Sequence, residues 1–330
     1  MLKWAHDEEY LKALESVDAT STGPFYDKFG LSYDCPPRDE LYRIVSSIYG
    51  GTIQAARALA LNRVKVAINW SGGWHHAQRK KASGFCYVND INGAIHCLTR
   101  YKLKVMYIDL DVHHGDGVEA EFRDSKKVVT YSTHHFAPGF YPGTGGLAPA
   151  HLGHVVNIPL KEHVGDADWC SLNRQMISKI FDAFNPDVFV VLAGADCLYN
   201  DDHRALKVTQ PGYLNLMRFI QSLNRRMLIL GGGGYNEPAT AKLWTLITAQ
   251  ACGLELPDDI PDEYDYFNEM GPDFTINDSD TPGGVKRLTD EERSEIVRHV
   301  TAKCNSIRTS SNLAKLPSRP FKRRKLSMPE

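Results

Sequence analysis

The stretch Lys104-Val-Met-Tyr-Ile-Asp-Leu-Asp-Val-His-His-Gly-Asp116 joins a short apolar run to three carboxylates and two imidazoles. A run rich in β-branched and aromatic residues predicts a buried strand, and the polar residues then lie at its carboxyl end. In extended backbone, Asp109, Asp111 and His113 point to one side because side chains alternate. Such oxygen and nitrogen ligands suit a divalent ion such as zinc. The stretch indicates either a metal site or, as the alternative, the capped start of a helix near Asp116.

Five further apolar runs resemble this strand, and helix-length segments separate them. This pattern predicts a parallel sheet that is covered by helices on both faces. The predicted strands are 64–69, 104–110, 128–132, 155–160, 187–193 and 226–230. Helices are predicted at 8–14, at 38–61 as one kinked helix or two short ones, and at 89–100, 168–184, 209–225, 238–253 and 289–306. The fold class is therefore α/β, an open, mostly parallel sheet in a single domain.

Composition narrows the class of protein. Of the 330 residues, 42% are hydrophobic and 24% are charged, as in a globular protein with a sizeable core. The formal net charge of −2 gives no overall attraction to nucleic acid or to a membrane surface. Seven scattered cysteines without a Cys-x-x-Cys pair favour a reducing, intracellular compartment. We therefore expect no membrane partner and no direct sequence-specific binding to nucleic acid.

Four of the predicted strands are followed by unusual side chains. In an open α/β sheet, the loops after the carboxyl ends share one crevice, so these groups can converge. The loops contain Trp70-Ser-Gly-Gly-Trp-His-His76, residues 109–116, Ala193-Gly-Ala-Asp196 and Gly231-Gly-Gly-Gly-Tyr-Asn236. Each has a simpler interpretation on its own, since the paired histidines could be structural and Asp196 could cap a turn. The glycine run lacks the lysine of a P-loop and instead lets backbone approach a buried ligand closely.

A metal ion on Asp111, His113 and Asp196 would keep one open position for water, as a catalytic zinc centre requires. Zinc lowers the pKa of such a water to about 7 and so provides a nucleophile at neutral pH. His114 has no assigned role in this arrangement beyond structural hydrogen bonding. The set predicts metal-assisted hydrolysis of an amide or a related carbonyl compound.

The remaining polar residues of these loops complete such a site. His75 and His76 supply imidazoles that can take a proton, and Asp109 and Asp116 can orient them and raise their basicity. Tyr235 can donate a hydrogen bond to a developing oxyanion.

These motifs resemble those of the zinc-dependent class I histone deacetylases. The likeness also includes Ala82-Ser-Gly-Phe-Cys-Tyr-Val-Asn-Asp90 and Pro138-Gly-Phe-Tyr-Pro-Gly-Thr-Gly145, and it runs in order from about residue 1 to about residue 307. The resemblance implies the arginase/deacetylase fold and hydrolysis of N-ε-acetyl-lysine in histones and other proteins, with release of acetate. It further implies Zn²⁺ as the metal, with Fe²⁺ as the alternative, corepressor proteins as partners, and a location in the nucleus and also in the cytoplasm.

The resemblance also assigns individual residues. His76 would be the general base and His75 its electrostatic partner, with Asp116 and Asp109 orienting them respectively, and Tyr235 would polarise the acetyl carbonyl. The tunnel for the acetyl-lysine stem would be lined by Gly84, Phe85 and Tyr141, with Asp34 holding the substrate backbone and His203 standing at the rim. Structural K⁺ would bind near Asp109, Asp111, His113, Ser132 and Thr133, and near Phe122, Ser125 and Val128.

Three features differ from the family pattern. The family has a first strand and a rim loop before the point that matches Met1, so we expect a catalytic domain at 1–307 without them. Tyr141 stands where phenylalanine is usual, and His203 stands where leucine or methionine is usual. Residues 308–330 are expected to form a disordered basic tail in which Lys322-Arg-Arg-Lys325 is a nuclear import signal, a nucleic-acid contact or a solvated segment without a reader.

Two other functions remain open at this point. Deacetylation of small acetylated amines such as polyamines would use the same chemistry with a different rim. A corepressor scaffold without catalytic activity would keep the fold but not the turnover.

Overall fold

The strand that ends at Asp109 lies inside a parallel sheet. In a computed structural model, which describes residues 1–148, 153–278 and 281–313, the sheet has six strands in the order β1-β6-β5-β2-β3-β4. The strands are β1 (Val66–Asn69), β2 (Val105–Asp109), β3 (Val128–His135), β4 (Val155–Leu160), β5 (Val188–Leu192) and β6 (Arg226–Leu230). Every pair is parallel, and Asp109 is in register with Leu192 on one side and Ser132 on the other. The predicted parallel sheet is confirmed.

Helices cover both faces of this sheet. They are α1 (Glu8–Ser16), α2 (Pro24–Asp27), α3 (Leu41–Ala60), α4 (Asp90–Arg100), α5 (Asp116–Phe122), α6 (Asp166–Phe184), α7 (Gln210–Ser222), α8 (Glu237–Cys252) and α9 (Asp290–Leu313), with 3₁₀ turns at Leu2–Trp4 and Phe267–Met270. Alternation along β2 explains the layers, because Met106 and Ile108 pack with α6 to α9 while Val105 and Tyr107 pack with α3 to α5. A third apolar cluster joins α1 and α3 to the segment around 82–88.

The structure decides between the two alternatives for one helix and differs from the sequence-based expectation for another. Residues 41–60 form one helix that continues through Gly50 and Gly51, because its buried side, including Val45 and Ile53, outweighs the low helix propensity of glycine. The last helix runs beyond residue 306 to Leu313, since Ile307 continues its buried side. Residues 308–313, the first residues of the expected tail, therefore lie in this helix.

The predicted start of the last helix is confirmed, and one predicted segment lies outside the described residues. Thr289 caps α9, since its hydroxyl accepts from Glu292 N and the Glu292 carboxylate accepts from Thr289 N. The basic cluster 322–325 lies outside the described residues. Across the described ranges, the helices are too short or too polar to span a membrane.

Candidate active site

The four polar loops meet at the carboxyl edge of the sheet. They follow β1, β6, β5 and β2, which are consecutive neighbours in the sheet, so their loops adjoin. Three of them, the loops after β1, β2 and β6, surround a cavity of about 310 Å³ together with the turn at residues 83–86. It is lined by Gly73, Trp74, His75, His76, Gly84, Phe85, Cys86, Asp111, Gly232, Gly233, Gly234 and Tyr235. The structure thus brings the distant motifs of the sequence into one crevice.

Asp111, His113 and Asp196 form a buried group that could hold a metal ion. One ligand atom from each lies within 4.8 Å of the others. His113 Nδ1 lies 3.1 Å from Asp111 Oδ1 and 3.1 Å from Asp196 Oδ2. Backbone amides fix both carboxylates, since Val112 N donates to Asp196 Oδ1 over 2.8 Å and Gly233 N donates to Asp111 Oδ2 over 2.7 Å. The donors are therefore held in place by the loops around them.

Two glycines make room for this group. A Cβ on Gly233 would lie 2.1 Å from Asp196 Oδ2, and one on Gly194 would lie 2.5 Å from Asp111 Oδ2. Both distances are shorter than any van der Waals contact, so a side chain at either position would displace a carboxylate. The glycine run after β6 serves close approach of backbone, as the sequence indicated.

The charges in the group suit a cation. Burial and the charge of Asp111 raise the pKa of Asp196 to about 8. Burial alone would also raise the pKa of Asp111, but the charges of His75 and His113 hold it well below its usual value. Burial lowers the pKa of His113, yet its hydrogen bonds to the two carboxylates raise it to about 10. Paired carboxylates in so little solvent are mutually repulsive, and a divalent ion would relieve that repulsion.

The two adjacent histidines have separate carboxylate partners. His75 Nδ1 lies 2.9 Å from Asp109 Oδ2, and His76 Nδ1 lies 2.7 Å from Asp116 Oδ1. Burial opposes the charge on His75, but Asp109 and Asp111 outweigh it and raise the pKa of His75 to about 9. Burial and the charge of His75 lower the pKa of His76 to about 4. At neutral pH, therefore, His75 is charged and His76 is neutral and able to accept a proton.

Tyr235 borders the cavity at the start of α8. Asn236 caps this helix, since its side chain accepts from Ala239 N, and Asp201 Oδ2 accepts from Tyr235 N over 2.7 Å. The ring of Tyr235 lies 4.5 Å from that of His203, which in turn lies 4.9 Å from that of His113. Burial, followed by the charges of nearby carboxylates, raises the pKa of Tyr235, so the phenol stays protonated and able to donate.

Two of the residues named for a tunnel and its rim, Gly84 and Phe85, line the cavity, and the others, Tyr141, Asp34 and His203, contact residues that line it. Phe85 is 58% exposed and its ring lies 6.2 Å from that of Tyr235. The Tyr141 ring meets the His76 ring edge to face at 4.9 Å. Asp34 Oδ2 accepts from Gly84 N over 2.6 Å, so one oxygen of this carboxylate already has a partner within the chain. The mouth therefore has aromatic walls and a carboxylate at its edge.

A buried carboxylate that the sequence did not single out anchors the histidine loop. Asp90, at the start of α4, accepts from Gly73 N over 3.0 Å and from Trp74 N over 2.9 Å. The hydroxyl of Thr52 on α3 donates to the same carboxylate over 2.7 Å. The only sequence signal is an acid in the first turn of a predicted helix, which is typical of many helices.

Three further supporting residues were also missed. Gln78 Nε2 donates to Asp116 Oδ2 over 2.8 Å, and the Tyr107 hydroxyl donates to Asp109 Oδ2 over 2.6 Å. Glu119 Oε2 lies 2.9 Å from His114 Nε2. His114 therefore has a structural hydrogen bond, as expected. Asp116 and Asp109, the carboxylates beside the paired histidines, each have a second hydrogen-bond partner.

The residues named for potassium form two neighbourhoods. In the first, the end of β2 and the following loop lie beside β3, where Asp109 is in register with Ser132. This set comprises Asp109, Asp111, His113, Ser132 and Thr133. In the second, between α5 and β3, Ser125 N donates to Phe122 O over 2.9 Å, and Val128 begins the strand.

Comparisons with known proteins agree with this architecture. Residues 1–251 match the histone deacetylase domain. The chain is 38% identical over 277 residues to histone deacetylase 8 of Xenopus tropicalis, covering 82% of this chain and 75% of the relative. It is 38% identical over 278 residues to histone deacetylase 8 of Danio rerio, covering 82% and 73%. It is 35% identical over 322 residues to histone deacetylase 1 of Homo sapiens, covering 96% and 64%. All residues lining the cavity lie within the matched domain.

Proposed function

Because the chain belongs to the histone deacetylase family, we propose that it hydrolyses N-ε-acetyl-lysine in histones and other proteins and releases acetate. One observation carries the proposal most directly. Asp111 of the buried Asp–His–Asp group, a neutral histidine beside a charged one, and the tyrosine Tyr235 all line one cavity. Amide hydrolysis needs these three elements together, namely electrophilic activation, a base and an oxyanion donor.

Asp111, His113 and Asp196 would hold the metal, which we propose to be Zn²⁺. Two carboxylate oxygens and one imidazole nitrogen are a usual ligand set for zinc, and Fe²⁺ accepts the same donors. A divalent ion bound there supplies Lewis acidity that activates water and polarises a carbonyl oxygen.

His76 would take the proton from the attacking water. Its low pKa keeps it neutral, and its Nδ1 is held by Asp116 at 2.7 Å, so Nε2 is left to accept. His75, held by Asp109, would remain charged and stabilise negative charge that develops in the transition state. His76 would then return its proton to the departing lysine amine.

Tyr235 would donate a hydrogen bond to the acetyl oxygen as it becomes an oxyanion. Gly84, Phe85 and Tyr141 would enclose the aliphatic stem, because apolar walls accept a methylene chain and a neutral amide but disfavour a free ammonium. The second oxygen of Asp34 would hold the substrate backbone, and His203 would contact the substrate at the rim.

Further assignments rest on the family resemblance. We propose K⁺ at the two neighbourhoods around Ser132 and Ser125, a catalytic domain from residue 1 to about 307, and acetylated histone tails and corepressor proteins as partners. We propose action in the nucleus and also in the cytoplasm, with the basic cluster 322–325 contributing to import.

The test is turnover of an acetyl-lysine peptide by the full chain loaded with zinc. Wild-type protein should release acetate, an alkyl hydroxamate should block it, and Tyr235→Phe should reduce kcat by about 10²–10³-fold, the usual cost of one oxyanion donor. The matched control is Tyr266→Phe, which removes the hydroxyl of an exposed side chain directly before the 3₁₀ turn Phe267–Met270 and should have no effect. A folded, zinc-loaded protein without turnover would refute the proposal. Faster turnover of an acetylated polyamine than of the peptide would show that small acetylated amines are the substrate class.

A further inference from the structure

The turn at residues 83–86, which carries one wall of the cavity, has an unfavourable backbone. Ser83 and Cys86 exchange two backbone hydrogen bonds, of 3.0 and 2.9 Å, so the chain reverses direction within two residues. Those residues, Gly84 and Phe85, have φ angles of +55° and +65°. Glycine accepts this conformation readily, but phenylalanine does not. The position of the exposed Phe85 ring must therefore be maintained by contacts from outside the turn.

Two side chains from other segments supply such contacts. Asp34 accepts a hydrogen bond from Gly84 N, as described above. On the opposite side, the hydroxyl of Tyr141 lies 2.7 Å from the hydroxyl of Ser83. Tyr141 belongs to the loop that follows β3, so this bond connects the loop after β3 to the turn that carries Phe85.

The Tyr141 hydroxyl fits closely between the turn and the catalytic base. A Cβ on Gly84 would lie 2.7 Å from the Tyr141 hydroxyl oxygen and 2.6 Å from His76 Cδ2. The tyrosine ring itself packs edge to face against His76. The hydroxyl therefore has little freedom, and it lies within hydrogen-bond distance of the Ser83 hydroxyl.

We propose that the hydrogen bond between Tyr141 and Ser83 is a clasp that joins the two walls of the tunnel and positions Phe85 before substrate arrives. Tyr141 is then a positioning residue through its hydroxyl, in addition to lining the tunnel with its ring. The proposal rests on the proposed function, because it assigns the clasp to binding of the acetyl-lysine stem. A wall that is ordered in advance removes part of the entropic cost of binding, so the clasp should act on KM and leave kcat nearly unchanged.

The experiment compares Tyr141→Phe, Ser83→Ala and the double variant, each as the zinc-loaded full chain. The loss of one partly exposed hydrogen bond should raise KM for an acetyl-lysine peptide by about three- to tenfold, with kcat within about twofold of wild type. The double variant should be no worse than either single variant, because both remove the same bond. Tyr101→Phe, which removes a hydroxyl at the end of α4, is the matched control and should leave KM unchanged.

Hydrogen exchange at the Cys86 amide provides a second measurement that does not depend on turnover. This amide donates to Ser83 O within the turn, so its exchange should become about three- to tenfold faster in each single variant than in the wild type. The double variant should exchange at the same rate as the single variants. An unchanged exchange rate at the Cys86 amide would overturn the clasp. It would also be overturned if the effects of the two substitutions multiplied in the double variant. If wild-type protein fails to turn over the peptide, the proposed function fails and the exchange data alone decide whether the clasp exists.

Discussion

Replacing Gly233 by alanine should weaken metal binding through a displacement that the structure defines. The new Cβ would lie 2.1 Å from Asp196 Oδ2 and 2.9 Å from Asp111 Oδ2. Carbon and oxygen atoms not bonded to each other stay more than about 3 Å apart, so the Asp196 carboxylate must move by about 1 Å. The backbone resists an alternative adjustment, because Gly233 N donates to Asp111 and Gly233 O accepts from Ala195 N. We expect zinc affinity to fall by about 10- to 100-fold, equivalent to about 1.4–2.7 kcal/mol.

The measurement is zinc affinity at neutral pH by competition with a chromogenic chelator, with urea unfolding of the same samples. Gly50→Ala is the matched control, because a Cβ on Gly50, inside α3, would have no neighbour within 4 Å. That variant should keep the wild-type zinc affinity and gain roughly 0.5–1 kcal/mol of stability from the better helix former. If Gly233→Ala binds zinc within twofold of wild type, then close approach at this glycine does not constrain the carboxylates, and the geometric reasoning is wrong.

Three other substitutions test separate parts of the molecule. His6 is buried, and burial lowers its pKa to about 4 against 6.5 in the unfolded chain. Its contribution to stability is therefore complete above pH 6.5 and is lost as the pH falls to about 4, by about 3 kcal/mol, and a His6→Gln variant should show a flatter pH profile in urea unfolding. Asp116→Asn should lower kcat by roughly 10–100-fold without changing zinc affinity, since it supports the base and not the metal; an unchanged kcat would remove Asp116 from that role. Ile180→Ala, on the buried side of α6, should cost about 2–5 kcal/mol of unfolding free energy with zinc affinity unchanged, and a loss under about 1 kcal/mol would contradict the tight packing.

Most strands of the sheet could be predicted from the sequence because they are buried on both faces. β5 is apolar along its length and β2 is apolar up to Asp109, and such runs can be recognised without knowing their neighbours. The group that could hold a metal ion was found for a related reason, since the carboxyl ends of parallel strands share one edge. The extension of α9 could not be predicted from helix propensity, since it depends on the packing of Ile307 in the core.

Supporting residues were harder to predict because their partners are far apart in the chain. The Asp90 carboxylate accepts from Trp74 N, and it also receives the hydroxyl of Thr52 from another helix. Neither contact follows from local pattern, because the first depends on how the loop after β1 meets α4 and the second on how α3 packs against α4. The clasp is similar, since Ser83 and Tyr141 are 58 residues apart.

The pKa values of the adjacent histidines His75 and His76 are shifted in opposite directions because the stretch 104–116 contains both a strand end and a helix start. The end of β2 holds Asp109 at His75, and α5 begins at Asp116, which holds His76. A strand end alone would place one carboxylate and leave the second imidazole unsupported, while a helix start alone would place no metal ligand. Burial, together with the charge that His75 acquires beside Asp109 and Asp111, lowers the pKa of His76 and keeps this imidazole neutral. Moving the helix start by one residue would therefore alter the proposed base even though Asp111, His113 and Asp196 stayed in place.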